Sequence, residues 1–236
     1  KELSQFVHNN VFKKRHFSRL PPGANLEDCT WIRVWKKGKV NSRLCARGCF
    51  DKQKQLIEKH SSTATRLSQR VIMSQFMSDC LIYLTRDDPI TLISLDISGA
   101  FLQGLECEEL IRISRELGYE SKNEREVFIA PPENVWKHFR ALVSPNHDLF
   151  VQDIKRGEFC LECLRAMCGF TDAPLMFQLC LIQFLVNRCE AVKSAFDDNF
   201  LMIFSEDYGC WELIAVITIH VDDLLLCVSV STTQWI

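Results

Sequence analysis

Two runs of apolar and β-branched residues, Leu213 to Ile219 and Leu224 to Val228, flank His220-Val221-Asp222-Asp223 near the end of the chain. That arrangement predicts a buried β-hairpin over Leu213 to Val230, with an acid pair at its tip. Thr91 to Ile97 alternates, with Ile93, Leu95 and Ile97 on one face and Asp96 on the other, so a strand carrying Asp96 is expected. Met73, Phe76, Met77, Cys80 and Leu81 recur at helical spacing behind Ser61-Ser62-Thr63, which are good caps. An amphipathic helix is expected from about Ala64, broken by Asp87-Asp88-Pro89. A second helix is expected from Ala173-Pro174 to about Cys189, Pro suiting a first turn. Trp31 to Phe50 reads as a strand pair turning near Lys37-Gly38-Lys39. Shorter strands are predicted at Val127-Phe128-Ile129, Phe159 to Leu164 and Asn199 to Phe204, the first two flanking a loop around Pro131-Pro132 and Pro145-Asn146. Leu105 to Leu117 reads as a polar, partly helical excursion. Residues 1–29 show no sustained period and turn at Pro21-Pro22-Gly23, so they read as an extended lead-in.

This alternation of elements indicates an α+β fold with helices on one face of a sheet. The 236 residues, 47% hydrophobic and 25% charged, suffice for one large core or two modest ones and exclude a disordered or fibrous chain. No apolar run approaches the ~18 residues of a spanning helix, and Lys1-Glu2-Leu3-Ser4 does not begin a secretory signal, so no membrane is expected as a partner. A first residue of Lys suggests a piece of a longer polypeptide. Twelve cysteines are scattered, and Cys80, Cys180, Cys189 and Cys227 sit inside apolar segments, where reduced thiols act as small hydrophobes. Cys160-Leu161-Glu162-Cys163, with Cys168 beyond it, lacks the second paired half of a zinc site.

The net charge of −2 hides an asymmetry: residues 1–70 carry 16 Lys+Arg against 5 Asp+Glu, and residues 71–236 carry 12 against 25. A basic part joined to an acidic remainder suits a protein that grips a polyanion with one lobe and loads cations with the other. Arg43 and Arg47 have the even spacing that puts both on one strand face, with Leu44 and Ala46 on the other, and their guanidinium groups are shaped for bidentate phosphate contact.

Two carboxylates buried side by side need a compensating cation, and hard divalent ions take carboxylate oxygens while leaving positions open for phosphate. The competing reading of Asp222-Asp223 is a turn that meets water. If the strand ends are neighbours, Asp96, Asp222 and Asp223 converge into a cluster for two divalent ions roughly 3.5–4 Å apart, the spacing of nucleotidyl transfer. A phosphohydrolase with Asp96 as nucleophile is the weaker reading, because Asp96-Ile97-Ser98 lacks a second acid two residues on.

At these residues the chain resembles reverse transcriptases of the Ty1/copia retrotransposon class. Leu95-Asp96-Ile97-Ser98-Gly99-Ala100-Phe101-Leu102-Gln103-Gly104 is similar to the pattern D-V-K-T-A-F-L-x-G, and His220-Val221-Asp222-Asp223 to Y-V-D-D. Cys168 to Phe177 resembles Y-G-L-K-Q-A-P-R-x-W, and Ser42 to Phe50 resembles K-A-R-L-V-A-R-G-F. The departures are His220 and Cys168 for Tyr, Ser98-Gly99 for Lys-Thr, and Thr171-Asp172 for Lys-Gln, the last two losing positive charge near the substrate.

The resemblance implies right-hand polymerase fingers and palm, a ferredoxin-like palm sheet with helices on one face, and no thumb, the chain stopping shortly after Val-Asp-Asp. It places the lead-in and fingers at 1–90, palm at 91–124, fingers again at 125–166 and palm at 167–236. It implies an RNA-directed DNA polymerase with Asp96, Asp222 and Asp223 catalytic and metal-binding, Asp223 the more peripheral, and two Mg²⁺ or Mn²⁺ ions. Arg43, Arg47, Ala100, Phe101 and Gly169 would contact the nucleotide, Phe101 as a ring that excludes a 2′-hydroxyl, and His220 and Val221 would lie at template and primer. The implied partners are an RNA template, a DNA primer, dNTPs, and integrase and ribonuclease H on the same polyprotein. The implied location is the cytoplasm, in a virus-like particle, or the nucleus. The alternative is an inactive retroelement remnant that only binds nucleic acid.

Overall fold

The computed structural model describes residues 2–36, 38–57, 59–82, 90–116, 125–153, 157–207 and 209–229. The chain is α+β and divides into two compact units, each made of two stretches: Lys1–His60 with Gly99–Leu179, and Ser61–Ser98 with Cys180–Ile236. These cuts differ from the expected boundaries because the helix after residue 60 packs on the second sheet, not with the residues before it.

The first unit is built on a five-stranded sheet. In chain order it contains α1 (Glu2–His8), β1 (Phe12–His16), β2 (Leu26–Lys36), β3 (Lys39–Ala46), α3 (Leu110–Glu116), β5 (Phe128–Ala130), α4 (Glu133–Leu142) and β6 (Phe159–Cys163). The strand order is β1-β6-β5-β2-β3, and only β2 and β5 run parallel. The expected lead-in is therefore ordered structure. Leu3 and Phe6 on α1 and Val11 and Phe12 at β1 are buried, but elements this short leave no period to detect. The expected loop after Pro131-Pro132 holds α4, with Pro132 as its N-cap residue and Val135, Trp136 and Phe139 buried. Phe6 stacks on Phe12 at 5.0 Å, Phe12 meets Phe139 edge-on at 6.4 Å, and Trp136 bridges Phe139 and Phe159 at 6.3 and 6.4 Å. Such ring pairs add about 0.5–1.5 kcal/mol each beyond their burial.

The second unit holds α2 (Arg66–Ile82), β4 (Ile90–Asp96), β7 (Val192–Lys193), β8 (Phe200–Asp207), β9 (Cys210–His220) and β10 (Asp223–Ser229). Its sheet runs β4-β10-β9-β8-β7, antiparallel throughout. Helix α5 (Ala173–Cys189) crosses from one unit into the other and matches the expected span. Helix α2 starts two residues later than expected. Its cap is Thr65, whose Oγ1 accepts the Ser68 N–H at 3.1 Å, in place of Ser61-Ser62-Thr63. Ile72 and Phe76 face the sheet and pack with Phe200, Val216 and Cys227, whereas Met73 and Met77 are exposed. The apolar stripe is thus set one residue earlier than the methionines suggest. Leu81's side chain, Lys37, Asp87-Asp88-Pro89, Leu117 and Val230 lie outside the described residues. Among the described residues no helix is long and apolar enough to cross a membrane.

None of the twelve cysteines, all of them among the described residues, is in a disulfide. Burial pushes the thiols of Cys160, Cys107 and Cys227 up to about 11, 12 and 11, so they remain protonated packing groups.

Candidate acidic site on the second sheet

Strands β9 and β10 are joined by the two-residue loop Val221-Asp222, with His220 paired to Asp223. On its other side β10 pairs with β4, and the register sets Asp223 directly opposite Asp96. The Ile97 N–H donates to the Asp222 carbonyl at 3.0 Å. By the antiparallel alternation, Asp96 and Asp223 are then a non-hydrogen-bonded pair, the kind whose Cα atoms approach to about 4.5 Å. A row His220, Asp223, Asp96 therefore crosses three strands on one face. It continues the rows of Leu225, Cys227 and Leu92 on which α2 packs.

This geometry alters the expected roles. The residue facing Asp96 is Asp223, expected to be peripheral, because a two-residue loop makes position 223 the first paired residue of β10. Asp222 occupies the loop itself, and its backbone carbonyl accepts from the residue that follows β4. Asp96, Asp223 and His220 are exposed and Asp222 and Val221 half-buried, so burial does not drive a cation to this place. What remains is like-charge opposition across a strand pair, which is unfavourable without a counter-ion. Two carboxylates on facing strands are the oxygen donors that a hard divalent ion takes, and their exposure leaves positions for phosphate. Among the described residues no group of three or more His, Cys, Asp or Glu side chains is arranged to hold a metal. Val221 has φ 59°, a conformation strained for a β-branched residue and held by the paired strands on either side.

The other expected contact residues lie in the first unit. Arg43 is exposed on β3 opposite Ile32. Arg47 falls one residue past the end of β3 and pairs with Asp28 at 3.2 Å. The anticipated alternation breaks at Cys45, which is buried along with Leu44 and Ala46. Ala100 is buried and Phe101 half-buried in the 3-10 turn Ala100–Gln103, entered through Gly99 at φ 69°. Gly169, expected to admit a ligand, instead meets protein: at φ 101°, a Cβ there would lie 2.0 Å from the Ala46 carbonyl oxygen. Asp172, expected near the substrate, is fully buried against Arg125, which meets it through Nε at 2.7 Å and Nη2 at 3.1 Å. The same guanidinium reaches Asp51 at 2.8 Å and Gln53 at 3.2 Å, and lies 5.1 Å from the Phe170 ring centre.

Burial pushes the Asp172 carboxyl above its ordinary range. Burial pushes Asp51 the same way, but the bonds it accepts from Arg125, Asn25 and Gln53 outweigh that and hold it low. Nothing in the sequence links positions 51, 125 and 172, and no periodicity can, since each stands in a different loop.

The first unit also presents a basic ribbon. Residues 29–50 contain six Lys+Arg and no acid. At the outer part of the β2–β3 hairpin, Ile32, Val34, Trp35 and Val40 are exposed beside Arg33, Lys36 and Lys39.

No family model, curated protein or solved structure matches the chain.

Proposed function

We propose that this chain is the reverse transcriptase domain of a Ty1/copia-like retrotransposon, joining a dNTP to a primer 3′-hydroxyl on an RNA or DNA template. The observation that carries the reading is the register placing Asp96 opposite Asp223, with Asp222 in the adjoining turn. In this reading the second sheet is the core of the palm and the first unit, with its basic hairpin, supplies the fingers. Mg²⁺ or Mn²⁺ would be held by Asp96 and Asp223, with Asp222 alongside. Bound there, a divalent ion lowers the pKa of an attacking hydroxyl and neutralises a departing pyrophosphate. The chain's own task is positional: strand pairing fixes the spacing of two carboxylates, and their exposure lets a phosphate approach.

A second reading, a folded remnant that binds nucleic acid without turnover, is favoured by Asp172. That residue stands where the resemblance expects a neutral side chain at the substrate, and it is bound to Arg125 instead.

Thermal melts with added Mn²⁺ test the metal site common to both readings, and primer extension separates them. Metal should raise the melting temperature of the parent by mass action and leave Asp223→Asn and Asp96→Asn unmoved; an unmoved parent counts against any metal site. In a version extended through downstream elements, primer extension should fall on the order of 100-fold or more in either variant. By the resemblance, Phe101→Ala should keep that activity and admit ribonucleotides.

A further inference from the structure

Strand β2 enters its sheet with its polarity inverted: Leu26 is 37% exposed, whereas Glu27 is 2% exposed. Asn25, Glu27 and Cys29 share the inward face by the two-residue period of a strand, and all three are buried. Neither carboxylate oxygen of Glu27 has a hydrogen-bond partner among the described residues, although buried carboxylates as a rule accept several. The titratable groups close enough to act on its charge are Asp51 from the turn after β3, Arg125 from the approach to β5, Asp172 from the approach to α5, Asp28 on the opposite face of β2, and the Cys163 thiol of β6. The one cation among them is engaged elsewhere, since Arg125 donates to both oxygens of Asp172 and to Gln53 and is ion-paired with Asp51 at 2.8 Å. Three buried carboxyl groups share one guanidinium, and two of them are already paired with it. The third fits this environment only as the neutral acid.

We propose that Glu27 is a proton-gated latch: while it carries its proton, Arg125 clamps Asp51 and Asp172 together, and when it ionises it competes for Arg125 and frees the segment 48–57. That segment depends on the clamp. Asp51 Oδ1 accepts from Asn25 Nδ2 and from the Gln53 N–H, both at 2.8 Å, and the Gln53 side chain reaches Arg125 and the Glu126 N–H.

Burial, and then the charge of Asp51, push the Glu27 carboxyl up to about 7 from 4.5. A group whose value is raised on folding gives stability that is present in full below its unfolded value. It is lost as pH rises to the folded value and is constant beyond. The window is therefore about pH 4.5 to 7, and across it the folded-to-open ratio falls by up to roughly 300-fold.

Hydrogen exchange of the whole chain at about pH 5 and about pH 8, corrected for intrinsic exchange, tests this. Amides of residues 48–57 should lose on the order of 10-fold or more of their protection at the higher pH. Glu27→Gln, which keeps the shape and removes the charge, should abolish that difference. Equal protection at both values in the parent, or the same loss in Glu27→Gln, overturns the latch. If Glu27→Gln does not fold, carbon-13 NMR of the glutamate carboxyls in the parent decides. One carboxyl titrating near neutrality supports the proposal, and titration of every one below about pH 5 ends it.

Discussion

At the scale of single residues, Arg125 is the most demanding position in the first unit. Its side chain and those of Asp51 and Asp172 are wholly inaccessible to solvent. Arg125→Met should destabilise the chain by about 3–5 kcal/mol in urea titrations, because two buried acids lose the cation paired with both. Arg125→Lys should recover little of this, an ammonium being unable to bind both oxygens of Asp172 while reaching Asp51. Gly169→Ala should be nearly as damaging, by about 3 kcal/mol or more, since both φ and the Ala46 carbonyl oppose a Cβ. Neither position could be understood from the sequence. Asp172 read as a replacement for a neutral side chain at a substrate because its partner lies 47 positions away, and Gly169 read as room for a ligand because the strand end it touches is remote in sequence. Glu27 was hidden for a related reason: an inward-pointing acid breaks the alternation by which inward positions are recognised.

At the scale of elements, the second sheet was the most legible part. The β9–β10 hairpin, the Asp96 strand and α5 announced themselves because each carries a long run with one period, β10 being buried along most of its length and β9 from Ala215 to Ile219. The acids were legible as a group, but which of them faces which was not. Loop length sets that register, and one residue more or fewer exchanges Asp222 and Asp223 across the sheet. The loop itself yields a prediction. Val221→Gly removes a β-branched side chain from φ 59° and should raise stability by about 1 kcal/mol, read as a higher melting temperature. A lower one would mean that Val221 packs more than it strains. The short elements α1 and β1 escaped notice for the opposite reason, having too few residues for a repeat to emerge, whereas α4 carries a helical stripe at Val135, Trp136 and Phe139 that the prolines on either side of it masked.

At the scale of the whole molecule, the two units carry opposite charge. The first has 23 Lys+Arg against 18 Asp+Glu and the second 5 against 12, giving +5 and −7. Binding of a single-stranded oligonucleotide should accordingly weaken with salt. If Arg33, Lys36, Lys39 and Arg43 each meet a phosphate, the slope of log K against log salt should be about −3, and the Arg43→Ala variant should lower it by about 0.7. A slope near zero would remove the basic ribbon from the account of binding.

The division of each unit between two stretches of chain also bears on how the protein is made. β4 ends at Asp96, and its only pairing partner in the described sheet, β10, begins at Asp223. At ribosomal rates of about 5–20 residues per second, roughly 6–25 s separate their emergence. Throughout that interval an apolar strand has no ladder to join while the rest of the first unit is still being delivered. An unpaired strand of this composition is a template for association with other chains. Yield in a cell should therefore depend on temperature and on chaperone supply through β4; β1 waits longer for β6, but its Lys13-Lys14-Arg15 run makes it a poor template for association.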